Sequence, residues 1–474
     1  MKNSVILIVL SLSFLFFGCK EDKKELKNTD RENYNILFIS VDDLRPELGT
    51  YGVKGMITPN IDSLANKSYQ FNNAFCNIPV CGASRASIMT GIYPALNRFV
   101  DHKARADEDV PEAITIPAHF KKSGYSTFSL GKVFHFPEDS PESWSKPAWQ
   151  PQVPHLSKDY VIPKNRARQA QPDKAGPYYE IADVPDSVYV DGMISNKAIR
   201  VLDSLKEVDK PFFLAVGFLR PHLPFSVPKK YWNLYPEEEI EIPNNRFWPK
   251  DAPGKRPFGF GELKKYQYVP KKYPVPDSIV HRMNRGYRAS ISYVDQMIGD
   301  VLNKLKETGQ DKNTIIVLWG DHGFHLGEHD LFCKHVTFQN TIQVPLIIKV
   351  PDMQSGKKVE GMVEYVDIFP TLCELTGLQK PETIQGKSFM PLLKNIKEKG
   401  KEYIFSRFKT TVSVRSDRYF YVQFIDDKGI FVNEMLFDHQ TDPYENQNIA
   451  HLPDMDEIVT ELKEILEKHN KTIN

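Results

Sequence analysis

Short apolar runs recur along the chain at 35–41, 126–130, 211–218, 314–319 and 344–350. Runs of this length, rich in Ile, Val, Leu and Phe, read as strands buried on both faces. Between them the apolar spacing becomes helical. It is clearest at 285–308, where Tyr287, Ile291, Val294, Ile298, Val301, Leu302 and Leu305 fall on one stripe. Thr58-Pro59 predicts a helix start with Pro in its first turn. Strands alternating with helices predict an α/β fold built on a large, mostly parallel sheet flanked by helices.

Two stretches break the rhythm. Residues 137–186 hold nine prolines, and 243–276 hold seven, interleaved with Phe247, Trp248, Phe258, Phe260, Tyr266, Tyr268 and Tyr273. Ordered loops of this length either cover a sheet or build a functional site. After about residue 395 the pattern changes again. Short alternating runs at 403–408, 411–415, 418–424 and 434–437 predict a small antiparallel sheet. Residues 454–470 follow as a helix with Ile458, Leu462, Ile465 and Leu466 inward. This predicts a large α/β domain at 33–394 and a small α+β subdomain at 395–474.

The first residues are of another kind. Lys2, the apolar run 5–17 and then Gly18-Cys19 form a charged start, a short apolar stretch and a small residue. Thirteen helical residues rise only about 20 Å, short of a bilayer core, so 1–18 reads as a secretory signal. The Phe-Phe-Gly-Cys end resembles a bacterial lipobox, which implies a lipid on Cys19. Residues 19–32 then read as a charged tether. The expected location is the periplasm or the outer-membrane or cell surface.

Of the five cysteines, 76, 333 and 373 allow at most one disulfide beside Cys19 and Cys81, and read as buried thiols. The 474 residues carry 61 basic and 61 acidic side chains, for zero net charge. A nucleic-acid binder would need a basic excess. A hydrophobic fraction of 41% is that of a globular protein and excludes a disordered one.

The chemistry gathers at a few places. The first strand runs into Asp42 and Asp43, at the end where open α/β sheets place ligand sites. Cys81 stands ahead of a helical pattern, with Arg85 four residues on; alone, that describes an activated thiolate. Two adjacent carboxylates suggest instead a metal with hard oxygen ligands, calcium or magnesium. Asp321-His322-x2-His325-x3-His329 by itself could be a zinc site, although its place after a strand suits a strand-end carboxylate better. His325, His329 and His335 are taken as supporting or structural.

Cys81-x-Ala-Ser-Arg85 followed by Thr90-Gly91 resembles the signature of type I sulfatases, whose cysteine is oxidised to formylglycine (3-oxoalanine). The other segments follow in the family's order: Asp42-Asp43, Gly131-Lys132-Val133-Phe134-His135, Arg220-Pro221-His222, Gly320-Asp321-His322 and Lys334. The Gly-Lys-Val-Phe-His and Leu-Gly-Glu-His strings are most similar to the iduronate-2-sulfatase branch. Leu436-Phe437-Asp438 and Thr441-Asp442-Pro443 also resemble its C-terminal subdomain. The resemblance spans about residues 34–450 and implies an alkaline-phosphatase-like fold. Where Ala83 stands, the commonest signature has Pro. The Ala form also occurs among bacterial sulfatases, so modification of Cys81 is implied without naming the enzyme that performs it.

The resemblance also implies a role for each of these residues. Asp42, Asp43, Asp321, His322 and the modified Cys81 would hold one Ca²⁺. Arg85 and Lys132 would hold the hydrated aldehyde, one of whose hydroxyls attacks sulfur while the other later releases sulfate. His135 would be the base for that release. His222 and Lys334 would bind sulfate oxygens and protonate the leaving alcohol. The substrate would be a sulfated polysaccharide or its oligosaccharides, either an iduronate-containing glycosaminoglycan or an algal polymer such as ulvan. The partners would be that glycan, a formylglycine-generating or anaerobic sulfatase-maturing enzyme, and a membrane through Cys19. Two alternatives stand beside this reading. One is a phosphodiesterase or phosphonate hydrolase of the same superfamily, and the other an inactive glycan-binding surface lipoprotein.

Overall fold

The computed structural model describes residues 34–473 except 155, 157, 158, 172–174, 255–260, 354 and 355. The leader, Cys19, the tether, Phe258 and Phe260 lie outside the described residues. A seven-stranded sheet forms the centre. Its strands are β1 (Asn35–Val41), β2 (Tyr69–Phe71), β3 (Ser126–Gly131), β4 (Phe212–Phe218), β5 (Thr314–Gly320), β6 (Leu346–Lys349) and β7 (Lys357–Val359). They lie in the order β7-β2-β6-β5-β1-β4-β3. Pairing is parallel except where β6 runs antiparallel to both β5 and β2, so the sheet is mixed and mostly parallel.

The continuous apolar runs have a direct cause. Along β1, Ile36 and Phe38 pack into the core on one face of the sheet, and Leu37, Ile39 and Val41 into the core on the other. A strand covered on both faces cannot alternate apolar with polar. Helix α1 (Cys81–Thr90) buries Ala83, Ala86, Ile88 and Met89 on the first face. Helices α2 (Val190–Leu205) and α3 (Asp277–Glu307) cover the second face. The α3 helix begins eight residues before the predicted start, because Val280 and Met283 extend the buried stripe among polar neighbours and Pro276 sets its first turn. Strands β2 and β7 carry no sequence signature: three residues each give too short a pattern.

Beyond this sheet, β8 (Ile404–Phe408), β9 (Thr411–Arg415), β10 (Tyr419–Ile425) and β11 (Phe431–Asp438) form an antiparallel meander. Helix α4 (Asp456–Ile473) packs on it, and Val412, Val414, Tyr421, Leu436, Leu462 and Leu466 share a small core. Cys76, Cys333 and Cys373 are buried free thiols.

Candidate active site

Register brings the chemistry together. Val41 of β1 lies opposite Gly320 of β5, and Gly131 of β3 opposite Gly217 of β4. The residues that come after these four neighbouring strands therefore leave the sheet at one level: Asp42-Asp43, Asp321-His322, Lys132 and the 219–222 segment. This is the carboxyl end of a parallel sheet, where α/β folds place ligands. Asp43 adopts a left-handed backbone (φ 60°), which Asp tolerates and which turns the chain sharply after the strand. Tyr287 of α3 pins that turn: its hydroxyl donates to the Asp43 carbonyl at 2.7 Å and accepts from Arg45 N at 3.0 Å.

Cys81 is the first residue of α1, so its side chain meets the positive end of the helix. Its Sγ lies 3.2 Å from His322 Nε2 and 3.9 Å from Asp43 Oδ1. Ligand atoms of Asp42, Asp43, Cys81 and His222 all fall within 4.8 Å of one another, and so do those of Cys81, Asp321 and His322. A divalent cation suits this donor set: three fully buried carboxylates and an imidazole converge on one side chain. Asp321 Oδ1 meanwhile accepts from the backbone N–H groups of Asp43 at 2.9 Å and of His322 at 3.0 Å, which fixes its orientation.

Cations surround these acids. Arg85 Nε is 3.0 Å from Asp321 Oδ2, and its Nη2 is 3.2 Å from Asp42 Oδ1. Arg85 Nη1 also donates to the carbonyls of Lys132 and of Val133. Lys132 pairs with Asp42, and Lys334 Nζ sits 3.0 Å from each oxygen of Asp43. Burial works against the charge on Asp42, but Lys132, His222 and Arg85 outweigh it and hold the carboxyl well below its usual range. Asp321 is pushed the other way, first by burial and then by the neighbouring Asp42 charge. Burial and then Asp42 also push the Cys81 thiol well above its ordinary range. Burial therefore works against the thiolate form of the unmodified cysteine, the opposite of what its place at a helix start alone suggests.

The histidines divide by environment. His135 is partly buried with its Nδ1 enclosed and unpartnered, and desolvation followed by the Lys132 charge pushes its pKa down to about 2. It is a neutral imidazole. His222 Nδ1 lies 2.6 Å from the Leu223 carbonyl, and burial followed by Lys334 lowers its pKa. His325 and His329 lie apart from this cluster, 6.4 Å from each other ring to ring and packed around Phe338.

Two groups escape the sequence. Asp191, in the first turn of α2, accepts from Leu219 N at 2.7 Å and Arg220 N at 3.0 Å and so sets the 219–222 segment. Glu262, from the second proline-rich stretch, touches both His222 and Lys334. No local pattern marks either residue. The only signal is that the stretch around Glu262 reads as an ordered loop.

Comparison with known proteins gives matches along nearly the whole described chain. The family model described as sulfatase matches residues 34–378, and that described as N-sulphoglucosamine sulphohydrolase, C-terminal, matches 327–472. The chain is 35% identical over 399 residues to iduronate 2-sulfatase of Mus musculus, covering 76% of this chain and 72% of that protein. It is 31% identical over 476 residues to a sulfatase of Formosa agariphila, covering 98% and 92%. A structure solved in complex with its substrate D-glucosamine-2-N,6-O-disulfate superposes with a TM-score of 0.73 at 23% identity. That match covers 93% of this chain and 98% of the other.

Proposed function

The chain belongs to the sulfatase family and is a sulfuric ester hydrolase, and on that premise we propose that it acts on a sulfated glycan through a formylglycine made from Cys81. The observation that carries the proposal is the position of Cys81 Sγ, at the first turn of a helix and within reach of Asp43, His322 and the ligand atoms of Asp42 and His222.

Calcium held by Asp42, Asp43, Asp321 and His322 would supply positive charge facing position 81, and a hydrated aldehyde there would supply two hydroxyls, one to attack sulfur and one to release sulfate. The remaining work belongs to the side chains in place. Arg85 and Lys132 offset the carboxylates and keep the cluster close-packed. His135, with its Nδ1 unpartnered, is the group placed to take the proton that sulfate release requires. Lys334 and His222 grip the sulfate oxygens and deliver a proton to the departing sugar alcohol.

The relatives indicate the substrate class: iduronate 2-sulfatase points to a uronate-bearing glycosaminoglycan, and an ulvan-active sulfatase of Formosa agariphila, 28% identical over 484 residues, to an algal polymer. Export on a Cys19 lipid is part of the same proposal and rests on the sequence of residues 1–32 alone.

The test is sulfate release by matured protein from a panel of both glycan classes, with phosphonate and phosphate diesters as competitors and Cys81→Ala as control. Release from one glycan class, lost in the variant, is the expected result. Faster turnover of the phosphorus esters, or no release by protein carrying formylglycine at position 81, would overturn it.

A further inference from the structure

Glu262 contacts both residues that the proposed reaction assigns to the sulfate group. Its Oε2 is 3.0 Å from Lys334 Nζ and its Oε1 is 3.3 Å from His222 Nε2, so one carboxylate bridges the ammonium and the imidazole. The donor inventory makes this consequential. An ammonium has three N–H donors. Lys334 Nζ lies 3.0 Å from each oxygen of Asp43 and 3.0 Å from Glu262 Oε2. Of the two nitrogens of His222, Nδ1 faces the Leu223 carbonyl and Nε2 faces Glu262. Glu262 thus takes up the His222 nitrogen that is not turned to Leu223 and one side of the Lys334 ammonium, which are contacts a sulfate group would need.

Exposure shows which partner can yield. Lys334 is 3% exposed and Asp43 fully buried, whereas Glu262 is 19% exposed and approaches from a loop rather than from a strand end. The two oxygens of a carboxylate are spaced much like two oxygens of a sulfate group, so a sulfate can take over both contacts together. Burial opposes the charge on Glu262, but Lys334, His222 and His335 outweigh it and keep the carboxylate ionised.

We propose that Glu262 is a built-in competitor for the sulfate subsite, releasing Lys334 and His222 to the incoming sulfate ester and reclaiming them when inorganic sulfate leaves. This inference rests on those two residues being the sulfate-binding groups of the proposed reaction. A doubly charged product held by the Lys334 ammonium and the His222 imidazole would leave slowly. A tethered carboxylate that takes the same donors raises the product's escape rate and weakens substrate binding to the same degree. Glu262 is in this sense a positioning residue, acting through Lys334 and His222 and not on the sugar.

The experiment is calorimetric titration of matured, calcium-loaded protein with inorganic sulfate, comparing wild type, Glu262→Gln and Glu262→Asp. Removing a negative charge this close to the subsite should tighten sulfate binding about tenfold in Glu262→Gln. Glu262→Asp, which keeps the charge, should stay close to wild type. In turnover assays the Gln variant should show a lower KM, stronger inhibition by sulfate and no rise in kcat. Sulfate binding in Glu262→Gln that is no tighter than in wild type, or that weakens alike in both variants, overturns the proposal. Glycan desulfation is scored separately. A wild-type protein that releases no sulfate from any glycan sinks the proposed function, while the titration still decides the role of Glu262.

Discussion

Arg85 reaches Asp321 across 236 positions of sequence, its Nε 3.0 Å from Asp321 Oδ2 with both side chains fully buried. The same guanidinium holds Asp42 and the carbonyls of Lys132 and Val133, so one side chain of α1 ties together the ends of β1, β3 and β5. A buried ion pair adds little over a well-packed apolar pair, but breaking one leaves an uncompensated charge in a dry site. Arg85→Gln should therefore cost the metal-free protein about 3–5 kcal/mol in denaturant unfolding. A loss within about 1 kcal/mol, the usual range for exposed pairs, would show that the carboxylates find another partner.

Gly82 sits against backbone, with no room for a side chain. The carbonyl of His102 lies so close that a Cβ at position 82 would overlap the oxygen. The obstacle cannot rotate away, so Gly82→Ala must move either the 99–105 segment or the start of α1. A stability loss of about 1–3 kcal/mol is expected from such overpacking. Because Cys81 is the adjacent residue, sulfate release should fall by more than the folded fraction does. Paired thermal unfolding and turnover measurements check this, and proportionate losses in the two would assign Gly82 to stability alone.

How much of this is legible in the sequence depends on the range over which each feature is encoded. The strands of the sheet centre are readable because burial on both faces leaves a continuous apolar run, as in β1 and β5. The cluster around Cys81 is readable because each segment keeps its own local pattern in family order. Glu262 and Asp191 are not, since what makes them part of the site is the register of strands and the path of a loop, not their neighbours in sequence. The same holds for β2, whose pairing with β6 spans the breadth of the catalytic domain.

Metal binding should appear in stability before it appears in turnover. Three buried carboxylates in one cluster repel each other, and a divalent cation that binds only the folded state removes that repulsion. At a hundredfold excess over its dissociation constant, calcium adds about 2.7 kcal/mol to unfolding free energy. Thermal scans of the full chain should rise with added calcium and fall with chelator. In Asp43→Asn both responses should shrink, since one ligand charge is gone. A wild-type transition that ignores both calcium and chelator would argue against a resident cation at these residues.

The seat of the terminal helix should be sensitive to acid. His469 of α4 stacks on Phe405 with ring centroids 3.7 Å apart, and meets Tyr93 edge-on at 4.8 Å. Burial in this aromatic sandwich lowers its pKa to about 4 from the ordinary value of 6.5. Proton counts give the sign. Between those two values the unfolded chain holds a proton on this imidazole and the folded chain does not, so unfolding takes up protons. Stability from this group is fully present above pH 6.5 and is lost as pH falls toward 4. With His469 half-buried, the full shift is discounted for solvent screening to about 2 kcal/mol across that window. His469→Phe keeps the stacking and removes the titration, so its unfolding free energy should fall less steeply with acid than that of wild type. Denaturant unfolding at pH 7 and pH 4.5 measures the difference directly. Equal slopes in the two proteins would mean that this histidine does not couple protonation to the attachment of α4.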